Sequence, residues 1–120
     1  MAMVTHAVNT MATLLAGSTV RPEACGIGTG SATEAITDVA LVTESDRNLV
    51  TTTSTATAGE VKYTTDFGAV EMSGTALTEF GMFPSGTTST GSLWNREAFA
   101  GVTFDGSTEL QVQITYKYIL

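Results

Sequence analysis

The C-terminal segment from residue 110 to residue 120 constrains the fold more than any other part of the chain. Apolar side chains alternate there with polar ones. The apolar set is Leu110, Val112, Ile114, Tyr116, Tyr118 and Leu120. Because successive side chains of a strand point to opposite faces, the alternation predicts a β-strand with one buried face. Such a strand needs a second layer to cover it, so the chain must build a sheet and pack something against it.

Other stretches also favour β-structure. The 120 residues include 23 threonines, a β-branched and polar type that suits solvated strand faces. Period-two runs begin after Asp46. Residues 48–68 predict two strands joined near residues 58–60, and further runs cover residues 75–84, 92–99 and 102–104, the last closed by a turn at 105–107. The threonine-rich stretch 51–57 predicts an edge strand or a protruding hairpin.

Two helical elements are expected besides the strands. Val4, Val8, Met11 and Leu15 recur at helical spacing and predict an N-terminal helix over residues 4–16. Residues 37–44 predict one helical turn, with Val39, Leu41 and Val42 facing inward.

The fold class that follows is mainly β. We expect a single domain over residues 1–120, with the helix first and a β-rich part over residues 23–120. The architecture is an antiparallel β-sandwich, or a partly closed barrel, of six to seven strands.

Charge and cysteine content exclude several classes of function. A net charge of −7 argues against direct binding to DNA or RNA, because binding depends on neutralising phosphates. A single cysteine, Cys25, rules out an internal disulfide and predicts a buried, inert thiol. No apolar run is long enough for a membrane-spanning helix, so we expect a protein with no membrane partner, made in the cytoplasm.

The stretch CGIGTGS, residues 25–31, superficially resembles a phosphate-binding loop. Its glycines are spaced G-x-G-x-G, without the hydrophobic strand before them or the Lys-Ser or Lys-Thr after them that nucleotide binding requires. We therefore interpret the glycines as structural and expect a tight turn with positive φ at Gly28 or Gly30.

Charged residues in apolar surroundings are candidates for buried ion pairs. Glu79 and Arg96 lie in runs that are otherwise apolar, and a buried charge needs a partner, so we expect a bridge between them on adjacent strands. Glu44 and Arg47 form a second candidate pair. The residues expected to have structural roles are Gly28, Gly30, Glu44, Arg47, Glu79, Gly81 and Arg96.

The residues predict no catalytic, metal-binding or cofactor site. His6 is the only histidine and is expected at a surface or helix end, and no carboxylate pair stands out, so a small hydrolase is the weakest hypothesis. An alternative of another class is a carbohydrate-binding module, in which Tyr63, Trp94 and Tyr116 would stack on sugar rings if exposed.

Several motifs occur in an order that resembles a family of small virion structural proteins of tailed phages, either tail-fibre or head-decoration components. These motifs are a Gly-Thr-Gly turn, a Leu-x-x-Glu-x-x-Arg element, a Thr-Glu-x-Gly-Leu-Phe strand with Met in place of Leu, and a later strand with an arginine. They match Gly28 and Gly30, then Leu41, Glu44 and Arg47, then Thr78, Glu79, Gly81, Met82 and Phe83, and finally Arg96.

The resemblance implies a non-enzymatic building block without cofactors. It would assemble as a symmetric oligomer, with a homotrimer expected, on the exterior of a capsid or tail. Its partners would be further copies of itself and other virion proteins, such as major capsid or tail proteins, with a host surface glycan as an additional ligand. Its location would be the virion, after synthesis in the host cytoplasm.

Overall fold

The computed structural model describes residues 2–3, 21–56, 59–72, 74 and 76–117. This part of the chain consists mainly of β-strands. In chain order the elements are β1 (Ala2–Met3), β2 (Ala24–Gly28), β3 (Glu44–Leu49), β4 (Thr52–Ser54), β5 (Glu60–Phe67), α1 (Ala69–Met72), β6 (Ala76–Phe83), β7 (Asn95–Thr103) and β8 (Leu110–Lys117). The predicted N-terminal helix over residues 4–16, with His6, lies outside the described residues.

The strands form two antiparallel sheets. One has five strands in the order β1-β7-β6-β2-β3, and the other has three in the order β4-β5-β8. The prediction of a mainly β chain with two antiparallel layers is confirmed. The short strand β4 lies at the edge of the smaller sheet, as the threonine-rich composition around it predicts.

A single hydrophobic core joins the two sheets. Ile27 and Met82 from the larger sheet and Phe67 and Ile114 from the smaller one are buried in the same cluster. The ring of Trp94, just before β7, lies edge-on to Tyr116 of β8 with centroids 6.1 Å apart. The inward faces of both sheets are therefore covered by each other.

Strand β8 is the element that the sequence predicts best. Val112, Ile114 and Tyr116 are buried, whereas Gln111 and Gln113 are exposed. The strand pairs with β5 over eight consecutive residue pairs without a register shift. This regular pairing follows from the period-two pattern, since a slip of one residue would expose the whole apolar face.

Strand β7 is longer than predicted. Two separate runs were expected at residues 92–99 and 102–104, but one strand extends from Asn95 to Thr103. The turn that follows is confirmed: the backbone N–H of Ser107 donates to Asp105 Oδ1 at 2.9 Å, and Gly106 has a φ of 90°.

The helical turn predicted at residues 37–44 is wrong. Leu41 is buried, but Val39 and Val42 are 65% and 56% exposed, and β3 already begins at Glu44. The physical reason is that the N–H groups of Val42 and Thr43 donate to the Glu79 carboxylate at 2.9 and 2.8 Å, whereas a helix would direct them to carbonyls four residues back.

Among the described residues, no helix is both long enough and apolar enough to cross a membrane.

Candidate functional site

A buried carboxylate on β6 organises the most elaborate polar cluster of the described structure. Glu79 has no exposed surface. Its Oε2 accepts hydrogen bonds from the backbone N–H groups of Gly30 and Thr43, both at 2.8 Å. Its Oε1 accepts from Val42 N–H at 2.9 Å and from Arg96 Nε at 2.9 Å. Four donors therefore satisfy one carboxylate, which makes its burial tolerable.

These donors keep Glu79 ionised. Burial by itself raises the pKa of a carboxyl group, but the hydrogen bonds from the Thr43 N–H, the Arg96 guanidinium and the Val42 and Gly30 N–H groups outweigh burial. The pKa of Glu79 therefore lies below its ordinary value. A carboxylate held in this state acts as an anchor for hydrogen-bond donors and is poorly suited to donating a proton.

Arg96 extends the cluster from β7 to the segment between β2 and β3. Its Nη2 donates to the carbonyl of Ala32 at 2.8 Å, and its Nη1 lies 3.4 Å from Asp38 Oδ2. The same Asp38 oxygen accepts from the N–H of Ala35 at 2.9 Å. The segment 29–43, which we call the clamped loop, is thus attached to the sheet at both halves of its length.

Three further hydrogen bonds fasten the clamped loop. The Thr78 hydroxyl donates to Gly30 O at 2.6 Å, and the Ala98 N–H donates to Glu34 Oε2 at 2.7 Å. The Leu93 N–H donates to Val39 O at 3.1 Å. The donors come from β6, from β7 and from the segment just before β7, so the loop is fixed to the outer face of the larger sheet.

The glycines of CGIGTGS are needed for close approach. A Cβ on Gly28 would lie 2.3 Å from Thr43 O, and one on Gly30 would lie 2.4 Å from Glu79 Oε2. Neither residue has a positive φ, so the predicted turn conformation is wrong, and Gly28 is the last residue of strand β2. Gly81 has a related role, because its Cβ would lie 2.4 Å from Asn95 O on the neighbouring strand.

Glu44 and Arg47 form a second, separate cluster on β3. Arg47 Nε and Nη2 lie 2.6 and 2.9 Å from the two Glu44 oxygens, which is a bidentate ion pair. Arg47 Nη1 donates to the carbonyls of Ser85 and Thr90 at 3.0 and 2.8 Å. The guanidinium also lies over the ring of Phe83, 3.6 Å from its centroid. This cluster fixes the segment 84–94 between β6 and β7.

The clamped loop carries apolar side chains on its outer surface. Ile36, Val39 and Val42 are each more than half exposed, at 64%, 65% and 56%. We call these three residues the apolar loop surface. Because buried ion pairs already hold this loop, a partner that covered these side chains would not have to order the loop first.

The structure brings together the charged residues that the sequence analysis predicts to form ion pairs. The predicted bridge between Glu79 and Arg96 is confirmed, and so is the pair of Glu44 and Arg47. The two pairs serve different loops and do not form one network in the contacts described above. The predicted buried thiol is also confirmed: Cys25 has no exposed surface, and burial raises its pKa to about 12.

Two features differ from the sequence-based hypotheses. Tyr63, Trp94 and Tyr116 are all buried, so their rings do not provide the sugar-stacking surface of the carbohydrate-binding alternative. The contributions of Glu34 and Asp38 were not predicted. Their partners lie about sixty residues later in the chain, and nothing local in the sequence signals a contact over that separation.

No protein-family model matches the chain, and no curated protein matches it significantly.

Proposed function

We propose that the protein is a non-enzymatic structural subunit of a tailed-virus virion. It would be a capsid decoration or cement subunit, or a subunit of a tail or neck appendage, folded as one β-sandwich. It would assemble as a symmetric oligomer on the particle exterior, in contact with major capsid or tail proteins. The main support for this proposal is structural. The charged residues of the motifs that resemble the phage family, Glu44, Arg47, Glu79 and Arg96, form the two buried clusters that fix surface loops to the sheets.

The motif residues have a common structural purpose. Glu79 and Arg96 hold the clamped loop, and Glu44 and Arg47 hold the segment 84–94. Gly28 leaves room for the loop backbone to approach. The carboxylates of these residues are fully hydrogen-bonded, and their effect is to keep the loops in one shape. Loops of fixed shape favour a subunit whose surface binds other proteins.

The apolar loop surface is the candidate contact with the particle. Its aliphatic side chains would be covered when the subunit binds its neighbours, and the buried ion pairs would keep the loop in the bound shape beforehand. The homotrimer inferred from the resemblance belongs to the same proposal.

The test is incorporation into particles of the virus that encodes the chain. Wild-type protein is expected to co-sediment with purified particles and to be detected there by mass spectrometry. Val39→Asp, which places a charge on the apolar loop surface at its most exposed residue, is expected to fold normally and to be lost from the particles.

Thr53→Asp is the matched control, because it adds the same charge at an exposed position of β4 on the smaller sheet. It is expected to incorporate as the wild type does. Absence of the wild-type protein from particles would overturn the proposed function, and normal incorporation of Val39→Asp would overturn the assigned contact surface.

A further inference from the structure

The outer edge of β8 has the features of a strand that accepts another strand. Among the described residues, no strand pairs with this edge, because β8 is the last strand of the three-stranded sheet. Edges are usually protected by charges, prolines, bulges or short length. β8 has eight residues, a regular register with β5, no proline and one charged residue, Lys117.

Two of the other edge strands are better protected. β4 at the opposite side of the same sheet has three residues. β3 at the edge of the larger sheet carries Glu44, Asp46 and Arg47, and its pairing with β2 is interrupted by a register shift. β8 is therefore a more open edge than β3 or β4.

The hydrogen-bonding groups of β8 are oriented for such pairing. The carbonyls of Thr64 and Asp66 accept from Thr51 and Asn48, so the even-numbered residues of β5 direct their backbone groups away from β8. The odd-numbered residues of β5 consequently face β8, and the pairing of Tyr63 with Ile114 makes the even-numbered residues of β8 face β5. Gln111, Gln113, Thr115 and Lys117 thus direct their N–H and C=O groups outward.

The charges flanking this edge complement each other in one antiparallel register. If two copies of β8 pair around a two-fold axis at Gln113, Gln111 lies opposite the partner's Thr115. In the same register Lys117 lies opposite Glu109, the exposed residue just before β8. Lys117 lies 3.3 Å from Glu60 of its own subunit, and in this register it gains a second carboxylate from the partner on each side of the axis. Opposite charges in such positions stabilise a sheet.

An apolar groove runs beside the same edge. It has a volume of about 290 Å³ and lies between the sheets, and its lining includes Phe80 and Phe99 of the larger sheet and residues 110–113 of β8. Phe99 is 36% exposed. A second subunit on β8 would cover the mouth of this groove, which a solvated edge leaves open to water.

We propose that β8 is a homodimer interface, in which two copies pair antiparallel about Gln113 and join their small sheets into one continuous six-stranded sheet. The inference rests on the proposed function, since it names the contact between copies in the symmetric oligomer. Because this contact is self-complementary, it produces a dimer, or a hexamer when combined with three-fold symmetry.

Cysteine cross-linking tests the register. In the proposed dimer the two copies of residue 113 are direct neighbours, with Cα atoms about 5.5 Å apart, within disulfide range. The two copies of residue 111 are four residues apart along the strands, or about 13 Å, which is too far. Gln113→Cys is therefore expected to form a covalent dimer on mild oxidation, and Gln111→Cys, on the same strand and face, is not. The native Cys25 is buried and does not interfere.

A second pair of variants tests the charges without an engineered thiol. Glu109→Lys places two lysines opposite each other and is expected to shift the protein from dimer to monomer in native mass spectrometry. Glu23→Lys makes the same charge change beside β2 and is expected to leave the mass unchanged.

The mass of the wild-type oligomer in native mass spectrometry is the third test. Six times the subunit mass of 12.5 kDa supports both the β8 contact and the three-fold symmetry of the proposed function. Twice that mass supports the β8 contact and contradicts the homotrimer, whereas one or three times that mass overturns the β8 contact. Equal cross-linking of Gln111→Cys and Gln113→Cys, or none in either, overturns the register. These outcomes concern the contacts between copies only, and the proposed function is decided separately by incorporation into particles.

Discussion

Glu79 and Arg96 form a buried ion pair that connects β6 to β7. The pair also holds the clamped loop, which lies between two other strands, β2 and β3. Their side chains are 0% and 1% exposed, and Glu79 Oε1 lies 2.9 Å from Arg96 Nε. In the sheet register Glu79 lies opposite Ala98, and Arg96 lies opposite Gly81, so the two residues are diagonal neighbours. Both side chains also bind the backbone of the clamped loop, and Arg96 contacts the Asp38 carboxylate of that loop as well.

Replacing the carboxylate of Glu79 by an amide will destabilise the protein strongly. In Glu79→Gln, the NH₂ group faces N–H donors, and the buried Arg96 loses the closer of its two carboxylates and keeps only Asp38, at 3.4 Å. Loss of one partner from a buried pair typically lowers the free energy of unfolding by about 3–5 kcal/mol. Urea denaturation at neutral pH measures this change.

Glu60→Gln is the matched control, because Glu60 pairs with Lys117 at 3.3 Å on the surface. We expect a loss below about 1 kcal/mol there, as is usual for exposed pairs. Similar losses in the two variants would contradict the role assigned to Glu79.

Stability will fall in acid, and Glu79 will contribute to the fall. The folded-state pKa of Glu79 is lowered, so its contribution is present above the unfolded-state pKa, about 4.3 for a glutamate, and is lost as the pH drops through the lower folded value. The free energy of unfolding of the wild type, followed by urea denaturation from pH 7 downward, should decrease through this range. Glu79→Gln should show a smaller decrease, and identical pH profiles for the two proteins would refute the assignment.

Adding a methyl group at Gly28 will disturb the clamped loop. The new Cβ would lie 2.3 Å from the Thr43 carbonyl, a backbone atom that cannot move without breaking the hydrogen bond from Thr43 N–H to Glu79. Gly28→Ala is expected to lower the free energy of unfolding by about 1–3 kcal/mol, as overpacking usually does.

Gly101→Ala provides the comparison within a strand. Its nearest neighbour would be Thr78 Cγ2 at 3.5 Å, an ordinary contact. This variant should be neutral or more stable by about 0.5 kcal/mol. Equal behaviour of the two glycines in thermal denaturation would be inconsistent with a steric role for Gly28.

The Glu44–Arg47 cluster requires arginine, and lysine will not replace it without a loss of stability. Lysine at position 47 keeps the charge but cannot form the bidentate contact with Glu44 while donating to Ser85 O and Thr90 O. Arg47→Lys should lower the free energy of unfolding by about 2 kcal/mol, in the range for hydrogen bonds to charged groups.

Amide hydrogen exchange in Arg47→Lys shows which of the two clusters the substitution disturbs. Hydrogen exchange should accelerate at Ser89, whose N–H donates to Glu44 Oε1 at 3.1 Å, and remain unchanged at Thr43. Faster exchange at Thr43 would show that the clusters depend on each other.

The sequence predicts the parts of the fold that depend on local periodicity. The alternation in β8 is confirmed, because the side-chain pattern alone decides which face of a strand is buried. The ion pairs were predictable for a related reason: a charge within an apolar run needs a partner, and few candidates exist in a chain with five basic residues.

The parts that depend on distant contacts were not predictable. Residues 37–44 have helix-like spacing, but the N–H groups of Val42 and Thr43 bind a carboxylate that is more than thirty residues away in the chain. The glycines of CGIGTGS suggested a turn. In the structure they allow the backbone at the end of β2 to lie close to the clamped loop. Local sequence carries no information about either contact.

Cryo-electron microscopy of the intact particle tests the central claim most directly. The proposed function predicts copies of this two-sheet domain on the exterior of the capsid or tail, with Val39 and Val42 buried against a neighbouring protein. A particle without this domain, or one in which the domain is present and both side chains face solvent, would contradict it.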